Sequence, residues 1–373
     1  MARPVFHNAF CDLLEIEYPI VLAGMGVGGR ATPPKLVAAV SEAGGAGILG
    51  CSGLSPEETR RRIKEVRTLT DKPFGVDLLL PAKISESAPT RSGVREQVKK
   101  NHPDHYAFML SLIKEFDLPE AYPEDETVVD IEYAKSVIEV ILDEKVPIFA
   151  AGLGDPGIII PDGHAQGMKI FGLSGSVRNA IRQKQSGVDG VIAQGSEAGG
   201  HTGRVSTFPL LPQVVDAVSP VPVLAAGGIG DGRGIAASLA LGAQAAWIGT
   251  AFLVADECEI YDANKDQILD NGSTFFNISH VWTGKPVRTY QNAVIDAWAT
   301  SGLTPLSTPF QRILMEDFNA SAKAGGRFDL ILNPAGQISG MLKERKPAAQ
   351  IMQELIEGTI EHLDRLQSEI RTR

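Results

Sequence analysis

Residues 188–226 read VDGVIAQGSEAGGHTGRVSTFPLLPQVVDAVSPVPVLAA: an apolar run, a glycine-rich turn, a helical segment and a second apolar run. Continuous runs of Val, Ile, Leu and Ala are typical of parallel strands that are buried on both faces of a sheet. Because two parallel neighbours need a crossover between them, this stretch predicts one β–loop–α–β unit.

The same unit recurs along the chain. The apolar runs are Pro19–Gly24, Gly45–Gly50, Phe74–Leu80, Val146–Ala151, Lys169–Leu173, Val188–Ala193, Val221–Ala226 and Ala245–Gly249. Helix starts lie between them, such as Ser55 followed by Pro56. Successive runs start roughly 20 to 35 residues apart, as a strand, a loop and a helix require. The sequence therefore predicts an α/β fold, a (βα)8 TIM barrel.

Only the third and fourth runs are further apart, by about 70 residues. The gap predicts an insertion, residues 82–128, with an amphipathic helix from about Val94 to Phe116. Because it follows the carboxyl end of a strand, we expect it over the catalytic face. We expect residues 1–255 to form the barrel with this insertion, and residues 256–344 to form, with the insertion, a smaller lid or second domain. Residues 345–373 are predicted to form a helix that packs on the barrel.

Composition excludes several classes of protein. The 373 residues include 35 basic and 45 acidic ones, a net charge of −10, which argues against nucleic acid or an anionic membrane as the main partner. The N-terminus lacks the apolar stretch of a signal peptide, so we expect a cytoplasmic protein. The cysteines Cys11, Cys51 and Cys258 show no C-x-x-C spacing, which favours reduced, buried thiols over disulfides or zinc.

Glycine is concentrated in one region, since 20 of the 39 glycines lie between residues 151 and 250. The first run also ends in Gly24–Gly29, which fits G-x-G-x-x-G. A dinucleotide-binding unit needs an acidic residue after the next strand, however, where the chain reads Gly50–Gly53. We therefore interpret the glycines as a close approach of backbone to a ligand at the barrel mouth, with a tight turn alone as the alternative.

The seventh and eighth runs end in Ala226–Asp231 and Ile248–Thr250, at the loops where (βα)8 enzymes commonly bind phosphate. Glycines there expose backbone N–H groups, and the next helix N-terminus, which we expect Asp231 to cap, favours an anion. These loops predict a phosphorylated ligand, with plain turns as the alternative.

The densest group of polar residues follows the sixth run. Between Gln194 and Gly203, four glycines surround Glu197 and His201. An imidazole at this end of a barrel can act as a base, an acid or a hydrogen-bond donor near neutral pH, whereas we interpret the other histidines as structural. With no metal-ligand spacing near His201, no G-x-S-x-G and no paired carboxylates, zinc, serine-hydrolase and glycosidase chemistry lose support.

These motifs resemble the nitronate monooxygenase family, formerly called 2-nitropropane dioxygenases. The stretches that carry the resemblance are Pro19–Gly29, Phe74–Asp77, Ala193–Gly203, Ala225–Ile229 and Gly336–Gly340. The resemblance implies an FMN-binding (βα)8 barrel that oxidises alkyl nitronates with O2. The E-A-G-G-H loop also looks like that of FMN-dependent enoyl-acyl-carrier-protein reductases, which take hydride from a nicotinamide.

The resemblance also implies roles for single residues. The FMN phosphate would be held by Gly227, Gly228, Gly249 and Thr250, with Gly24 and Met25 near the isoalloxazine ring and Gln194, Ala198, Gly199 and Lys169 along the ribityl chain and ring. His201 matches the catalytic histidine, which would orient or deprotonate the substrate. Asp77 stands where the family usually has asparagine. Its carboxylate would replace an amide donor near the flavin and disfavour an anionic reduced ring.

Three functions stay open on the sequence. The first is a nitronate monooxygenase that binds FMN and uses a small-molecule substrate and O2. We expect no metal in this enzyme, and a homodimer is one open alternative for its assembly. The second is an NADH- or NADPH-dependent flavin reductase of an enoyl or acyl thioester or a quinone, and the third is a non-catalytic flavin- or phosphate-binding barrel. An inosine-monophosphate-type dehydrogenase is disfavoured, since it needs a nucleophilic cysteine in a central loop.

Overall fold

Parallel strands form the centre of the molecule. The computed structural model describes residues 6–26, 29–80, 90–126 and 128–370. Its strands are β1 (Ile20–Leu22), β2 (Gly47–Gly50), β3 (Phe74–Leu79), β4 (Ile148–Gly152), β5 (Lys169–Ser174), β6 (Gly190–Gln194), β7 (Gly200–His201), β8 (Val223–Ala226), β9 (Ala245–Ile248), β10 (Phe276–Ser279) and β11 (Val287–Tyr290).

Eight of these strands follow one another in the order β1-β9-β8-β6-β5-β4-β3-β2. The ring is closed next to β2, where the backbone N–H of Leu22 donates to the carbonyl oxygen of Ala46 at 2.9 Å. The strands coincide with the apolar runs, and their residues are almost all buried. The predicted (βα)8 barrel is confirmed.

Helices connect the strands and extend the chain beyond them. They are α1 (Ala9–Leu14), α2 (Pro34–Glu42), α3 (Pro56–Leu69), α4 (Arg91–Asn101), α5 (Pro103–Glu115), α6 (Ile131–Asp143), α7 (Ile160–Ala165), α8 (Val177–Ser186), α9 (Thr207–Val218), α10 (Gly232–Ala240), α11 (Asp262–Asp270), α12 (Ala293–Thr300), α13 (Phe310–Ala324) and α14 (Ala348–Glu369). Ser55 caps α3 and Asp231 caps α10, as predicted.

Two apolar layers hold the barrel together. Side chains inside the barrel, such as Ile48 and Phe171, pack on one another, while their chain neighbours Leu49 and Ile170 face the surrounding helices. The first helix, α1, joins the inner layer through Phe10, whose ring centroid lies 6.0 Å from that of Phe171. This packing leaves the carboxyl ends of the strands for a site.

The insertion after β3 contains two helices where the sequence predicts one. The prediction of a single helix over Val94–Phe116 is wrong, because α4 ends at Asn101 and α5 begins at Pro103. His102 between them leaves the helical conformation, with φ −137° and ψ 54°. Proline lacks a backbone N–H and clashes with the preceding turn, so it fits only at a helix start. Residues 82–89 and 127 of the predicted insertion lie outside the described residues.

These two helices share an apolar core with the chain that follows the barrel. Met109 of α5 packs in one cluster with Trp282, with Trp298 of α12 and with Phe318 of α13. A bidentate ion pair joins α4 to α13, with the Arg95 Nε and Nη2 donating to the Asp317 carboxylate at 2.6 and 2.7 Å. Two segments that are far apart in sequence therefore form one packed unit.

A small antiparallel sheet ties the chain after the barrel to the loop after β6. Its strand order is β10-β11-β7. In the register of this sheet, Val287 lies opposite His201 and Arg288 lies opposite Gly200. The position of His201 therefore depends on residues more than eighty positions later in the chain.

The last helix, α14, packs on α10 and α2. The contact with α10 is backbone to backbone, since a Cβ at Gly232 would lie 2.2 Å from the carbonyl carbon of Gly358. Ile351, Met352 and Leu355 are buried, whereas the distal Ile370 is 78% exposed. Within the described residues, no helix is long and apolar enough to cross a membrane.

Candidate active site

The predicted site residues lie at the carboxyl ends of the barrel strands, with one exception. Those at this end are Gly24, Met25, Asp77, Gln194, Ala198, Gly199, His201, Gly227, Gly228, Gly249 and Thr250. Lys169 is the exception, because it is the first residue of β5 and pairs in register with Ile148 at the start of β4. Five residues of strand, roughly 16 Å, separate it from the end of β5. The expected role of Lys169 beside the ligand is therefore corrected.

Three glycines bring the loop after β1 against its neighbours. A Cβ at Gly24 would lie 2.2 Å from the Cβ of Asp77, and one at Gly50 would lie 2.3 Å from the carbonyl oxygen of Met25. A Cβ at Gly249 would lie 2.9 Å from the Sδ of Met25. These positions need glycine because other protein atoms already occupy the space. Gly24, Met25, Asp77 and Gly249 thus form one contiguous group, and Val27 and Gly28 of the same motif lie outside the described residues.

Asp77 is the buried acid of this group. Its side chain has no hydrogen bond or ion pair within the described parts of the chain, and its residue is 8% exposed. Burial raises the pKa of the Asp77 carboxyl from 3.8 to about 8. The group is therefore mostly protonated at pH 7 and can donate a hydrogen bond, as an amide can. This pKa favours the protonated form of Asp77, and the effect of Asp77 in place of asparagine stays a prediction.

The neighbouring thiol is also neutral. Burial, together with the charge that Asp77 carries when it is ionised, raises the pKa of Cys51 to about 12. Cys51 lies directly after Gly50, which is opposite Asp77 in the β2–β3 register. A thiol with this pKa is not a nucleophile at neutral pH. This side of the barrel mouth therefore carries two acids in their uncharged forms.

The glycine-rich loop after β6 is held by its own carboxylate. The Glu197 side chain accepts hydrogen bonds from the Thr207 backbone N–H at 2.9 Å and from the Thr207 hydroxyl at 3.0 Å. Gly199 packs against the chain near the C-terminus, since a Cβ there would lie 2.5 Å from the carbonyl carbon of Ala335. Ala198 donates its backbone N–H to the Gly195 carbonyl oxygen at 3.2 Å. Part of the glycine excess therefore serves contacts within the protein.

The loops after β8 and β9 meet beside this loop. Gly227 and Gly228 have φ values of +87° and +76°, a backbone conformation that favours glycine. After β9, the Thr250 hydroxyl accepts a hydrogen bond from the backbone N–H of Gly336 at 2.9 Å. The backbone N–H groups of Gly228 and Thr250 have no acceptor in the described ranges. Free N–H groups beside the N-terminus of α10 suit an oxyanion.

A further polar atom near these loops lacks a partner. The Ser339 hydroxyl is fully buried, and no hydrogen bond to it occurs among the described residues. Ser339 lies in the short 3-10 helix Gln337–Met341, which packs against the 3-10 helix Thr250–Phe252. An orphaned buried hydroxyl costs free energy unless it finds a partner. The region therefore has unused donors on both backbone and side chain.

His201 occupies the opposite side of the barrel mouth. Its Nε2 lies 3.3 Å from the Thr283 hydroxyl oxygen, and that hydroxyl donates to the carbonyl oxygen of Lys285 at 3.3 Å. This arrangement favours the tautomer in which His201 Nε2 is the donor and Nδ1 an acceptor. Burial, together with the charges of Lys285 and Arg312, lowers the pKa of His201 from 6.5 to about 4. His201 is therefore neutral at pH 7.

Two side chains support the histidine loop. Gln194, at the end of β6, donates its amide to the carbonyl oxygen of His201 at 2.7 Å. Arg288 of β11 donates from Nε and Nη2 to the carbonyl oxygen of Ser196 at 3.0 and 2.8 Å. Gln194 thus acts on the backbone of His201, in addition to lining the cleft described next. The loop is fixed from the barrel and from the small sheet.

A cleft of about 420 Å³ opens beside His201. It lies between the ends of β5 and β6 and is closed on one side by Lys285 and Pro286. This volume is within the usual range of small-molecule sites. The sequence reasoning missed Thr283, Lys285 and Arg288, because no motif marks them and only the pairing of β11 with β7 brings them to His201.

Known proteins resemble this chain over nearly its whole length. Residues 7–358 match the family described as nitronate monooxygenase. The chain is 34% identical over 363 residues to a protein named probable nitronate monooxygenase from Staphylococcus aureus strain Newman, covering 94% of this chain and 96% of that protein.

Solved structures give the same result. Nitroalkane oxidase from Streptomyces ansochromogenes superimposes with a TM-score of 0.82 at 29% identity, covering 96% of this chain and 100% of the other. FabK from Thermotoga maritima superimposes with a TM-score of 0.77 at 30% identity, covering 98% of this chain and 100% of the other.

Proposed function

The chain belongs to the nitronate monooxygenase family, and from that premise we propose that it is an FMN-dependent nitronate monooxygenase that oxidises alkyl nitronates with O2. Family membership makes it an oxidoreductase. The identity of the flavin as FMN, the substrate and the use of O2 are parts of the proposal. So are the roles of the single site residues.

The described residues fit a phosphorylated flavin. The free N–H groups of Gly228 and Thr250 would hold the phosphate, and Gly227 and Gly249 allow the backbone to approach it. Gly24, Met25 and Asp77 would contact the ring, with Gln194, Ala198 and Gly199 along the ribityl chain. When bound, FMN would take electrons from the substrate and pass them to O2.

The match of residues 7–358 to the nitronate monooxygenase family, with His201 in the wall of the cleft, carries the proposal, and the lowered pKa of His201 supports it. A base with a pKa of about 4 is too weak to remove a proton from a neutral nitroalkane efficiently. A nitronate is already an anion and needs no base. A neutral imidazole can instead hydrogen-bond and orient it. We therefore assign His201 an orienting role.

Asp77 would act from the opposite side. In its protonated form it presents an O–H to whatever lies at the barrel mouth, and a neutral donor there stabilises developing negative charge. If Asp77 ionised, the carboxylate would oppose that charge. The raised pKa keeps the group in the useful form at neutral pH.

A second candidate is an NADH- or NADPH-dependent flavin reductase of a thioester or quinone. The likeness to FabK over 98% of the chain favours it, together with the resemblance of the histidine loop to that of FMN-dependent enoyl-acyl-carrier-protein reductases. We also propose that residues 82–128 and 256–344 form a lid over the barrel of residues 1–255. Residues 345–373 would form the packing helix, and a homodimer is the proposed assembly.

Anaerobic mixing of the purified yellow protein with an alkyl nitronate, NADH or NADPH separates the candidates. We expect bleaching of the flavin absorbance by the nitronate alone, measured by stopped flow. His201→Asn should lower the bleaching rate roughly tenfold to a hundredfold while the flavin stays bound, because a hydrogen bond to the charged substrate is lost. His164→Asn is the matched control, since His164 lies in α7 and bonds Asp189 at 2.9 Å. Bleaching by a nicotinamide and not by the nitronate would replace the first candidate with the second.

A further inference from the structure

Among the described residues, the wall of the cleft beside His201 carries basic and no acidic side chains. Its charged lining residues are Arg182, Arg204 and Lys285, within a protein whose net charge is −10. Such a local excess of positive charge focuses a field that attracts anions. The cleft is therefore suited to a ligand of the opposite sign.

Only part of this charge is balanced within the protein. Arg182 lies 3.5 Å from the Asp155 carboxylate, so it is already paired. Neither Lys285 nor Arg204 has a side-chain hydrogen bond or ion pair within the described ranges. Arg204 and Lys285 are both exposed to solvent. No carboxylate among the described residues neutralises either cation, so both are available to an anion that enters the cleft.

Positive charge also reaches this point from α13. The Arg312 Nε donates to Glu316 at 2.8 Å, but the same carboxylate is bonded by Arg91. One acid is thus shared by two guanidinium groups. Consistently, partial desolvation and the charge of Arg312 lower the pKa of Lys285, and the charges of Lys285 and Arg312 add to the effect of burial on the pKa of His201. The space beside His201 therefore has an uncompensated positive potential.

The fold holds Lys285 firmly in this place. Its backbone N–H donates to the Thr283 hydroxyl at 3.2 Å, the same hydroxyl that His201 contacts. Gly284 between them has a φ of +73° and fits tightly against the chain, since a Cβ there would lie 2.3 Å from the carbonyl oxygen of Leu306. Lys285 and His201 are thus parts of one hydrogen-bonded unit.

We propose that Lys285 is the residue that selects an oxyanion as the ligand of this cleft, with Arg204 extending the anion-binding surface outward. The inference rests on the proposed function and adds its charge selectivity. The shared chemistry is a planar or tetrahedral oxyanion, either the nitronate group of the substrate or a phosphate of a nicotinamide dinucleotide. Binding exchanges the hydration of Lys285 for a charge-assisted hydrogen bond.

Nitrate tests the proposal without any redox step, since it is a planar oxyanion like a nitronate group. Its binding to the flavin-loaded protein is measured by calorimetry for wild type, Lys285→Gln and Lys285→Arg. We expect roughly tenfold or greater weakening in Lys285→Gln, because a charged hydrogen bond is lost, and near-normal binding in Lys285→Arg. Lys72→Gln is the control, since it removes an exposed lysine in the turn before β3. Equal nitrate binding in wild type and Lys285→Gln would overturn the proposal.

Kinetics distinguish the two sources of the oxyanion. If the nitronate is the ligand, Lys285→Gln should raise the nitronate KM roughly tenfold and leave kcat nearly unchanged, while the dissociation constant of a neutral nitroalkane of the same skeleton shows no change. If a dinucleotide phosphate is the ligand, the same change should appear in the KM for NADH or NADPH. Loss of kcat with an unchanged KM would indicate a merely structural role and would contradict selection by Lys285. Failure of nitronate to bleach the flavin, with nitrate binding still dependent on Lys285, would remove the proposed reaction and keep this site.

Discussion

The two sides of the barrel mouth reach the same charge state by opposite routes. On the side of β2 and β3, burial without a nearby cation raises the pKa of Asp77 to about 8, so the acid is neutral. On the side of β6, burial and two cations lower the pKa of His201 to about 4, so the base is neutral. Between about pH 4 and pH 8, the barrel mouth therefore contains two uncharged hydrogen-bonding groups.

This difference shows which part of the site recognises charge. Burial acts on both groups, but among the described residues only His201 is also affected by cations, which are Lys285 and Arg312. An anion would therefore be drawn toward His201 and Lys285, while Asp77 contributes a neutral donor. Removing the group on either side should change pH-dependent behaviour in opposite directions.

The largest effect is expected from Asp77→Asn on stability at alkaline pH. The folded pKa is above the unfolded one, so the folded protein holds a proton that the unfolded chain has lost between about pH 4 and 8. The group therefore lowers the free energy of unfolding by up to about 1.4 kcal/mol per pH unit as pH rises through that window.

Asp77→Asn should abolish that part of the slope and make the protein more stable than wild type near pH 8. Urea denaturation of the flavin-free protein at several pH values measures how the free energy of unfolding changes with pH. Asp71→Asn, in the exposed turn before β3, is the control and should keep the wild-type slope. A wild-type slope in Asp77→Asn would mean that Asp77 is ionised in the fold.

His201→Asn should change the pH dependence of stability in the opposite direction, at acid pH, and by a smaller amount. The folded pKa of His201 is below the unfolded one, so only the unfolded chain takes up this proton between about pH 6.5 and 4. Wild type should lose up to about 1.4 kcal/mol per pH unit from this group as pH falls through that narrower window. The variant should lack this loss in the same denaturation series. If the variant lost as much stability as wild type when the pH falls, His201 would not be a neutral, buried imidazole.

Thr283→Val should have the smallest effect and tests how His201 is held. The substitution keeps the shape and removes the hydroxyl that links His201 Nε2 to the backbone of Lys285. Losing a hydrogen bond of about 1 kcal/mol should lower kcat/KM for a nitronate roughly fivefold. Thr300→Val, on the exposed end of α12, is the control. No change in kcat/KM would show that the β7–β11 pairing alone positions the histidine.

Local patterns in the sequence predict the barrel well. Each strand is a short apolar run followed by turn residues, and these properties are visible without knowing the neighbours. The ends of the runs also locate Gly24, His201 and Gly228 at one face. The predicted position of Lys169 is wrong by the same reasoning, since Lys169 begins its run and must lie at the other end of β5.

Properties that depend on distant contacts could not be predicted. The pairing of Val287 with His201 brings Thr283 and Lys285 to the site, and no local signal marks that pairing. The ionisation of Asp77 follows from burial and the lack of a cation, which only the packed structure reveals. The break at Pro103 is the exception, because the proline was visible in the sequence and should have ended the helix.

The most direct measurement is anaerobic reduction of the bound flavin by a preformed alkyl nitronate between pH 5 and 9, in wild type and Asp77→Asn. The account predicts a rate that stays level from pH 5 to about 7, because both groups are neutral there, and that falls near pH 8 as Asp77 ionises. Asp77→Asn should lose only the alkaline fall. Absence of flavin reduction by the nitronate, or a rate that changes near pH 6.5 as an exposed histidine would require, would contradict the account.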